Sequence, residues 1–515
     1  MPRYPYPPRD FQCLYEHNCP YLKGLSTTWV WGEYEWADSQ YQEHLRIVDA
    51  YDEALEKSRK RILFLEKQYA ETKAKLQALH QKQFKANIKK DKQKKERTSD
   101  NIDSSRKKKR GAPAGHPGWF RRKPKDVDQT VHVSAPDSCP HCQSEKLRPI
   151  QEVKEHIQED IVLTPRTVVT RYLHAQAYCA HCNRPVIKAG DNELLNAHIG
   201  PVAKSTAIYL RYRMGLPYRK VQELFKDLFD LEFVPATALG FDKKAALKGE
   251  AIYEDLREKI RASSVVHADE TSWRNDGVGH YAWYAGNSDL AFFHIDRHRS
   301  SEVATSILGT NFGGVLVTDR YAAYNSTNPA VRQTCLAHII RRAKEIAQEL
   351  SLLNNNYRDL KAESFCARIA KLFSRACKVG QKLSSGLLTI KETPAIEKKF
   401  LKKLKTYCAH ELNFSAAETL RSKLIGKEID QLFTFLRHPD VPPTNNQAEQ
   451  SLRSIVIFRK IIFGTRSASG LKTHSILPSL VLTARRQGKH PREFLQILLT
   501  ADTPTAQAAL FNNSS

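Results

Sequence analysis

The stretch VVHADETSW, residues 265–273, runs from an apolar β-branched pair into two adjacent carboxylates, Asp269 and Glu270. Short β-branched and aromatic runs bounded by turn formers read as strands, so the first acid is expected where this strand ends. Three further runs obey the same grammar: HYAWYAGNS (280–288), LAFFHID (290–296) and GGVLVTDRYAAY (313–324), the last arriving at Asp319. Between the last two, SSEVATSILG (300–309) is helical in composition.

Three strands, a helix and a fourth strand is the order of a ribonuclease H-like α/β core. Neighbouring strands of a parallel or mixed sheet can set Asp269 and Asp319 side by side. Paired carboxylates repel unless cations neutralise them, so divalent metal is the expected solution. A third acid completes a two-metal cage. Glu449, in VPPTNNQAEQSLRSI (441–455), is the candidate, on a helix expected from Gln447 to Ile455 after Pro442 and Pro443, with Thr444 as its cap. The separation from Asp319 is too long for one connection. It holds a Lys-rich, largely helical segment read as an insertion into the core.

Charge narrows the partners. The formal net charge is +25 over 515 residues, which points to a polyanion, and nucleic acid is the commonest one. Residues 85–125 carry 16 Lys/Arg against four Asp/Glu, a basic tether in which Lys107, Lys108, Lys109 and Arg110 are candidate phosphate contacts. No stretch approaches the ~20 apolar residues of a membrane span, and the first residues lack a signal-peptide core. A cytoplasmic, nucleoid-associated protein is expected.

Ten cysteines are too few for a disulfide scaffold. Cys139 with Cys142, and Cys179 with Cys182, form two Cys-x-x-Cys knuckles with the ligand number and spacing of a tetrahedral zinc ribbon. Four thiolates close the coordination sphere, so this Zn²⁺ would be structural. A redox pair is the competing reading, and the lack of a βαβ pattern weighs against it. Cys13, His17 and Cys19 would make an incomplete metal site, or belong to a small aromatic cap.

From His44 to Phe84 a heptad places Val48, Leu55, Ile62, Tyr69 and Leu76 at one seam position and Tyr51, Leu65 and Leu79 at the other, interrupted by Ser58 and Thr72. This helix either self-associates as a coiled coil or packs on its own protein. Helices over residues 201–250 suggest a helix-turn-helix carrying Arg219, Lys220, Lys243 and Lys244, against the alternative of ordinary packed helices. The expected organisation is an aromatic Cys/His segment (1–43), coiled-coil helix (44–84), basic tether (85–125), zinc ribbon (126–190) and helical DNA-binding domain (191–260). The ribonuclease H-like core (261–342 and 432–463), interrupted by the helical insertion (343–431), and a C-terminal helical region (464–515) complete a multidomain α+β chain.

Weaker signals remain. Cys335 and His338 form a Cys-x-x-His pair, with Arg341 and Arg342 one turn on; His338 would orient a phosphate or a catalytic group, or be structural. His267 alternates with apolar strand residues and reads as core or as support for the site. Asn445 and Asn446 would support the metal site or a DNA strand. GTRSASGLKT (464–473) misses the spacing of a phosphate-binding loop.

In this order, the heptad helix, basic tether, paired Cys-x-x-Cys, HADET, VTDRYAAY, CLAHIIRR, TNNQAEQSLR and FGTRSASGLKTHSILPSLVLTARRQGKHPREFL resemble transposases of the insertion-sequence-66 family, over about residues 44–500. The resemblance implies a DDE transposase with a ribonuclease H-like core, with Asp269, Asp319 and Glu449 as the acids. Two departures stand out, Arg320 where the family often has Gly and Thr444 where it often has Asp. The implied chemistry uses two Mg²⁺ or Mn²⁺ ions ~4 Å apart to activate a water and then a DNA 3′-hydroxyl. Double-stranded DNA at the element ends and target, a second copy bound through the coiled coil, and accessory proteins of the element are the implied partners. A catalytically silent zinc-containing DNA binder and a ribonuclease H-like nuclease without strand transfer are the competing functions.

Overall fold

The computed structural model describes residues 25–95, 167–174, 176–179, 184–186, 193–195, 197–426 and 428–511, with a few isolated positions besides. Cys13, His17, Cys19, Lys107, Lys108, Lys109, Arg110, Cys139, Cys142 and Cys182 lie outside them. Cys179 enters only through its backbone, as the last residue of a short strand.

In chain order the elements are α1 (Thr27–Lys95), β1 (Ala177–Cys179), β2 (Arg184–Val186), α2 (Pro201–Tyr212), α3 (Tyr218–Phe229) and α4 (Pro235–Arg261). Then come β3 (Val265–Asn275), β4 (Val278–Gly286), β5 (Ala291–Asp296), α5 (Ser301–Leu308), β6 (Val315–Thr318) and β7 (Val331–Thr334). The rest is helical: α6 (Leu336–Leu350), α7 (Leu360–Ser384), α8 (Thr393–Tyr407), α9 (Ser415–Ile425), α10 (Asn446–Ile462), α11 (Ala468–Arg486), α12 (Pro491–Thr500) and α13 (Thr503–Leu510). The fold is mixed α+β and mostly helical, with a five-stranded mixed sheet of order β5-β4-β3-β6-β7 and a two-stranded sheet of β1 and β2.

The chain divides into two compact units. One comprises Met1–Gln93 and Gln333–Thr444, the other Lys94–Arg332 and Asn445–Ser515. In the first, α6 to α9 bury Ala343, Ile346, Phe365, Ile369 and Leu404, and Phe433 stacks on Phe373 and Phe400. One face of α1 docks there: Ala74 and Ala78 are buried, Lys67 donates to the Asn413 carbonyl and Ser415 donates to Glu71. The heptad seam lies elsewhere on α1. Val48, Tyr51, Leu55, Ile62, Leu65, Tyr69, Leu76 and Leu79 are all exposed. An N-terminal helix is therefore present, longer than expected, and it covers its docking face without covering the seam.

In the second unit β3 and β4 form a long antiparallel hairpin. Its turn is Asp276-Gly277, both at positive φ (49° and 79°), the conformation that favours an Asp-Gly pair between strands. This turn overrides the expectation that the strand stops at its first acid. Asp269 sits mid-strand, with six strand residues beyond it. β6, by contrast, ends at Thr318 and delivers Asp319 at its tip. The third helix of the 201–250 region also runs on, through 27 residues to Arg261, because apolar residues at Ile252, Tyr253, Leu256 and Ile260 continue to bury one face.

The edge strand β5 is closed by a helix rather than by another strand. Ser475, Ser479 and Thr483 recur every fourth residue on α11, and their hydroxyls accept from the backbone N–H groups of Ile295, Phe293 and Ala291. The edge donors that would otherwise be left open are thereby satisfied. Gly249 of α4 meets α11 closely, a Cβ there lying 2.6 Å from the Leu480 side-chain tip.

Candidate functional site

The first two acids are joined by register. β3 and β6 pair in parallel with Val265 opposite Val315 and His267 opposite Val317, a constant offset of 50 residues. Two residues further along each chain stand Asp269 and Asp319, also 50 apart. Carboxylate oxygens of Asp269, Glu270 and Asp319 all lie within 4.8 Å of one another. Glu270, which the sequence alone did not single out, joins this cluster although consecutive strand residues ordinarily point to opposite faces.

Each carboxylate is held. Asp269 Oδ1 accepts from the Glu270 N–H at 2.9 Å, and Asp319 Oδ1 from the Tyr321 N–H at 2.8 Å. The Glu270 side chain, only 2% exposed, pairs with Arg299 at 2.5 Å and accepts from the Tyr324 hydroxyl at 2.6 Å. Arg299 in turn lies 4.0 Å over the Tyr321 ring, and the Tyr321 hydroxyl donates to the Arg299 carbonyl. Arg332 donates to the Thr318 hydroxyl and to the Asp319 carbonyl. None of Arg299, Tyr321, Tyr324 or Arg332 was singled out by sequence; what links them is contact across strands and loops.

Electrostatics follow from burial and crowding. Burial raises the Asp269 carboxyl to about 7, and the charges of Glu270, Asp319 and Glu449 push in the same direction against one backbone hydrogen bond. Burial also raises Glu270, offset by Tyr324 and Arg299. A group of carboxylates that resists collective ionisation is one that a divalent cation would stabilise.

Glu449 arrives on α10, which packs on β3 and β4 through Ala448, Leu452, Ile455 and Phe458 against Trp273, Ala282 and Tyr284. It lies outside the 4.8 Å cluster, yet near enough for its charge to raise Asp269. The helix starts at Asn446 with Asn445 as its cap position, one residue after the expected Thr444. The fully buried Asn445 makes no capping bond with its side chain. It reaches across to β3 instead, where Nδ2 donates to the Ala268 carbonyl at 2.8 Å and Oδ1 lies 3.0 Å from His267 Nδ1. Burial lowers His267 to about 4, so the ring is neutral at neutral pH, and the Asn445 oxygen assigns its proton to Nδ1. The helix of the third acid is thus tied to the residue preceding the first. Arg486 adds a second tie, donating to Ser451 of α10 and to the Tyr284 hydroxyl. Asn446 is exposed.

The remaining candidates fall elsewhere. His338, Arg341 and Arg342 lie on α6 of the helical unit, where Arg342 pairs with Glu349 at 3.1 Å and Glu345 at 3.6 Å. Arg219 and Lys220 are exposed on α3, and Lys243 and Lys244 on α4; Lys220 is paired with Glu223. Residues 464–467 are structural: Thr465 bonds Asn275, and Ser467 caps α11 by accepting from the Gly470 N–H.

Residues 197–473, just over half the chain, match the family described as "Transposase IS66 family". The chain belongs to the IS66 family of transposases. Two proteins of Sinorhizobium fredii are similar along most of its length, both described as uncharacterized. The protein y4jD is 21% identical over 78% of this chain and 81% of its own, and y4hP is 21% identical over 75% and 74%. The matched segment contains Asp269, Asp319 and Glu449. Membership assigns the chain a transposase role, which implies a DNA-processing enzyme that binds DNA. Among the described residues no helix is long and apolar enough to cross a membrane.

Proposed function

We propose that the chain is a DDE transposase that cleaves DNA at the ends of an insertion sequence to free 3′-hydroxyls and then joins those ends to target DNA. The observation carrying this reading is the meeting of Asp269 and Asp319, 50 residues apart in sequence, within one carboxylate cluster that also feels Glu449. The strand order, with β3, β4 and β5 antiparallel and β6 parallel to β3, supports a ribonuclease H-like core. Carboxylate side chains gathered at one site, with Asp269 raised by burial and by its acidic neighbours, fit Mg²⁺ or Mn²⁺, which favour carboxylate ligands. Asp269, Asp319 and Glu449 would hold the ions, with Glu270 beside them. When bound, such ions supply activation of the attacking oxygen and stabilisation of the leaving one.

The chain's own residues prepare that site. Asp269 and Asp319 present acceptor oxygens fixed by backbone N–H groups. Glu270 is neutralised in place by Arg299 and Tyr324, which limits the repulsion that three bare carboxylates would generate. Asn445 and Arg486 hold α10 so that Glu449 faces the cluster. No residue is needed as a covalent nucleophile.

The same reading includes a structural Zn²⁺ on Cys139, Cys142, Cys179 and Cys182, with Cys179 the last residue of β1. It includes DNA contacts from Arg219, Lys220, Lys243, Lys244 and the basic tether, association of two copies through α1, accessory proteins of the element, and a cytoplasmic, nucleoid-associated location. His338, Arg341, Arg342 and Asn446 are auxiliary in it. Labelled element ends incubated with protein and Mg²⁺ test the catalytic claim. A nick exposing a 3′-hydroxyl, followed by joined product, is expected. Nicking alone would mark a nuclease, and binding alone a silent DNA binder. Asp269→Ala should retain binding and lose cleavage; undiminished cleavage by that variant would sink the assignment.

A further inference from the structure

A cleft of about 290 Å³ opens between α2 and α4, lined by Lys204, Lys244, His198, Thr237, Gly240 and Phe241. It is at the small end of ligand sites, which run ~300–1,000 Å³. No carboxylate is among its described lining residues. Lys204 is 5% exposed, a rare condition for a lysine without an acid beside it. Among the described residues the only partner of its ammonium is the Phe241 ring, 5.6 Å away. Burial, and then the charge of Lys244, lower its proton affinity. Lys204 and the exposed Lys244 both line the cleft, and a bound anion would offset the repulsion between them.

Gly240 makes a second, independent point. It lies inside the 27-residue α4, where glycine is the poorest helix former after proline. A Cβ there would meet nothing within 4 Å, so packing does not demand the glycine. Leaving it bare keeps the floor of the cleft open. Thr237 adds a hydroxyl in the first turn of the same helix, whose N-terminus favours negative charge.

We propose that this cleft is a phosphate-binding site in which Lys204 and Lys244 are the charged contacts and Thr237 and His198 the polar ones, the phosphate coming from the DNA backbone or from a small phosphate ester. The lysines suit the ligand as point charges with several N–H donors. The site is built from residues other than the acidic cluster, so its failure would leave the catalytic reading standing.

Pyridoxal 5′-phosphate is a direct probe, because its phosphate would seat in the cleft and its aldehyde condense with an unprotonated lysine amine, releasing water. After borohydride reduction, peptide mass spectrometry of the full-length protein should find Lys204 or Lys244 labelled at least tenfold faster than exposed lysines. Inorganic phosphate should protect them while chloride at equal ionic strength does not. Protection by duplex DNA as well identifies the backbone as source; protection by phosphate alone identifies a small ester. Indiscriminate labelling that phosphate leaves unchanged would overturn the proposal. Gly240→Leu keeps every charge and fills the cleft, so labelling at Lys204 should fall at least tenfold, with Gly240→Ala as a folding control. Labelling of folded Gly240→Leu at the wild-type rate would count equally against the site. If the leucine does not fold, inorganic phosphate titrated into Lys204→Met decides: protection of Lys244 should be lost, and its retention would refute the site.

Discussion

Asn445 is the residue on which the geometry of the third acid turns. Side-chain hydrogen bonds of Asn445 reach His267 and the Ala268 carbonyl, one position before Asp269, so it registers α10 against β3. Asn445→Ala leaves buried polar partners on the strand unsatisfied, at a cost of roughly 1–3 kcal/mol. It should lower the cleavage rate ~10–100-fold, the usual effect of losing support behind a metal ligand, while DNA affinity is kept. Urea melts and single-turnover cleavage check the two halves. A different buried group predicts a pH effect. Asp242 accepts from the Tyr218 hydroxyl at 2.6 Å, and burial raises it to about 7. Its folded form therefore binds a proton that the unfolded chain has released above the ordinary carboxylate range. Its contribution to stability is complete below that range and is lost as pH rises toward 7. Asp242→Asn should abolish this component, so that the variant gains on the wild type between pH 4 and 7, measured by urea midpoints at matched pH. The pairing of Asp269 with Asp319 was legible because parallel register turns a constant sequence offset into spatial adjacency. The clamp of Glu270 by Arg299 and Tyr324 was not, since nothing local in HADET announces partners 29 and 54 residues away.

At the scale of elements, the seal between α11 and β5 is the feature most open to test. Phe293 N–H donates to Ser479 Oγ at 2.8 Å in a buried setting. Ser479→Ala would strand that donor and should cost ~1–3 kcal/mol, read as a lowered urea midpoint. Ser479→Thr, which keeps the hydroxyl, should recover part of the loss. Combining Ser475→Ala, Ser479→Ala and Thr483→Ala would reopen the strand edge, and concentration-dependent aggregation is then expected by light scattering. The strands β3, β4, β5 and β6 were readable from composition, as was α5, because their apolar runs are bounded by turn residues; β7 (Val331–Thr334), a short VRQT run without that pattern, was not. The length of β3 was misjudged: the run of acids and hydroxyls in DETS hides a strand whose pairing partner β4 supplies the apolar cover, and the Asn-Asp-Gly turn that fixes the hairpin lies beyond the acids. Likewise the four-residue period of hydroxyls in THSILPSLVLT (473–483) on α11 carries no signal until the edge of β5 is set against it.

For the molecule as a whole, α1 presents the largest unresolved demand for burial. Its face toward the helical unit is satisfied by Ala74, Ala78, Lys67 and Glu71. The seam stays in solvent, with Leu55 50%, Ile62 55%, Tyr69 69% and Leu76 54% exposed. A docking face of two buried alanines and polar contacts shares the helix with this apolar seam, which is why the heptad period alone could not decide between self-association and internal packing. Apolar residues repeating at heptad spacing and left uncovered are what a second helix would bury, and the seam and the docking face can be occupied together. Sedimentation equilibrium should therefore return a multiple of the 58.8 kDa chain mass. Leu55→Lys combined with Ile62→Lys places like charges in the seam and should return the single-chain mass with unchanged circular dichroism. The variant should still bind a single element end, because the second unit is untouched. Pairing two ends should fail, which a gel separating one-end from two-end complexes would resolve. A wild-type protein that sediments as one chain at micromolar concentration would remove the seam from the account of assembly.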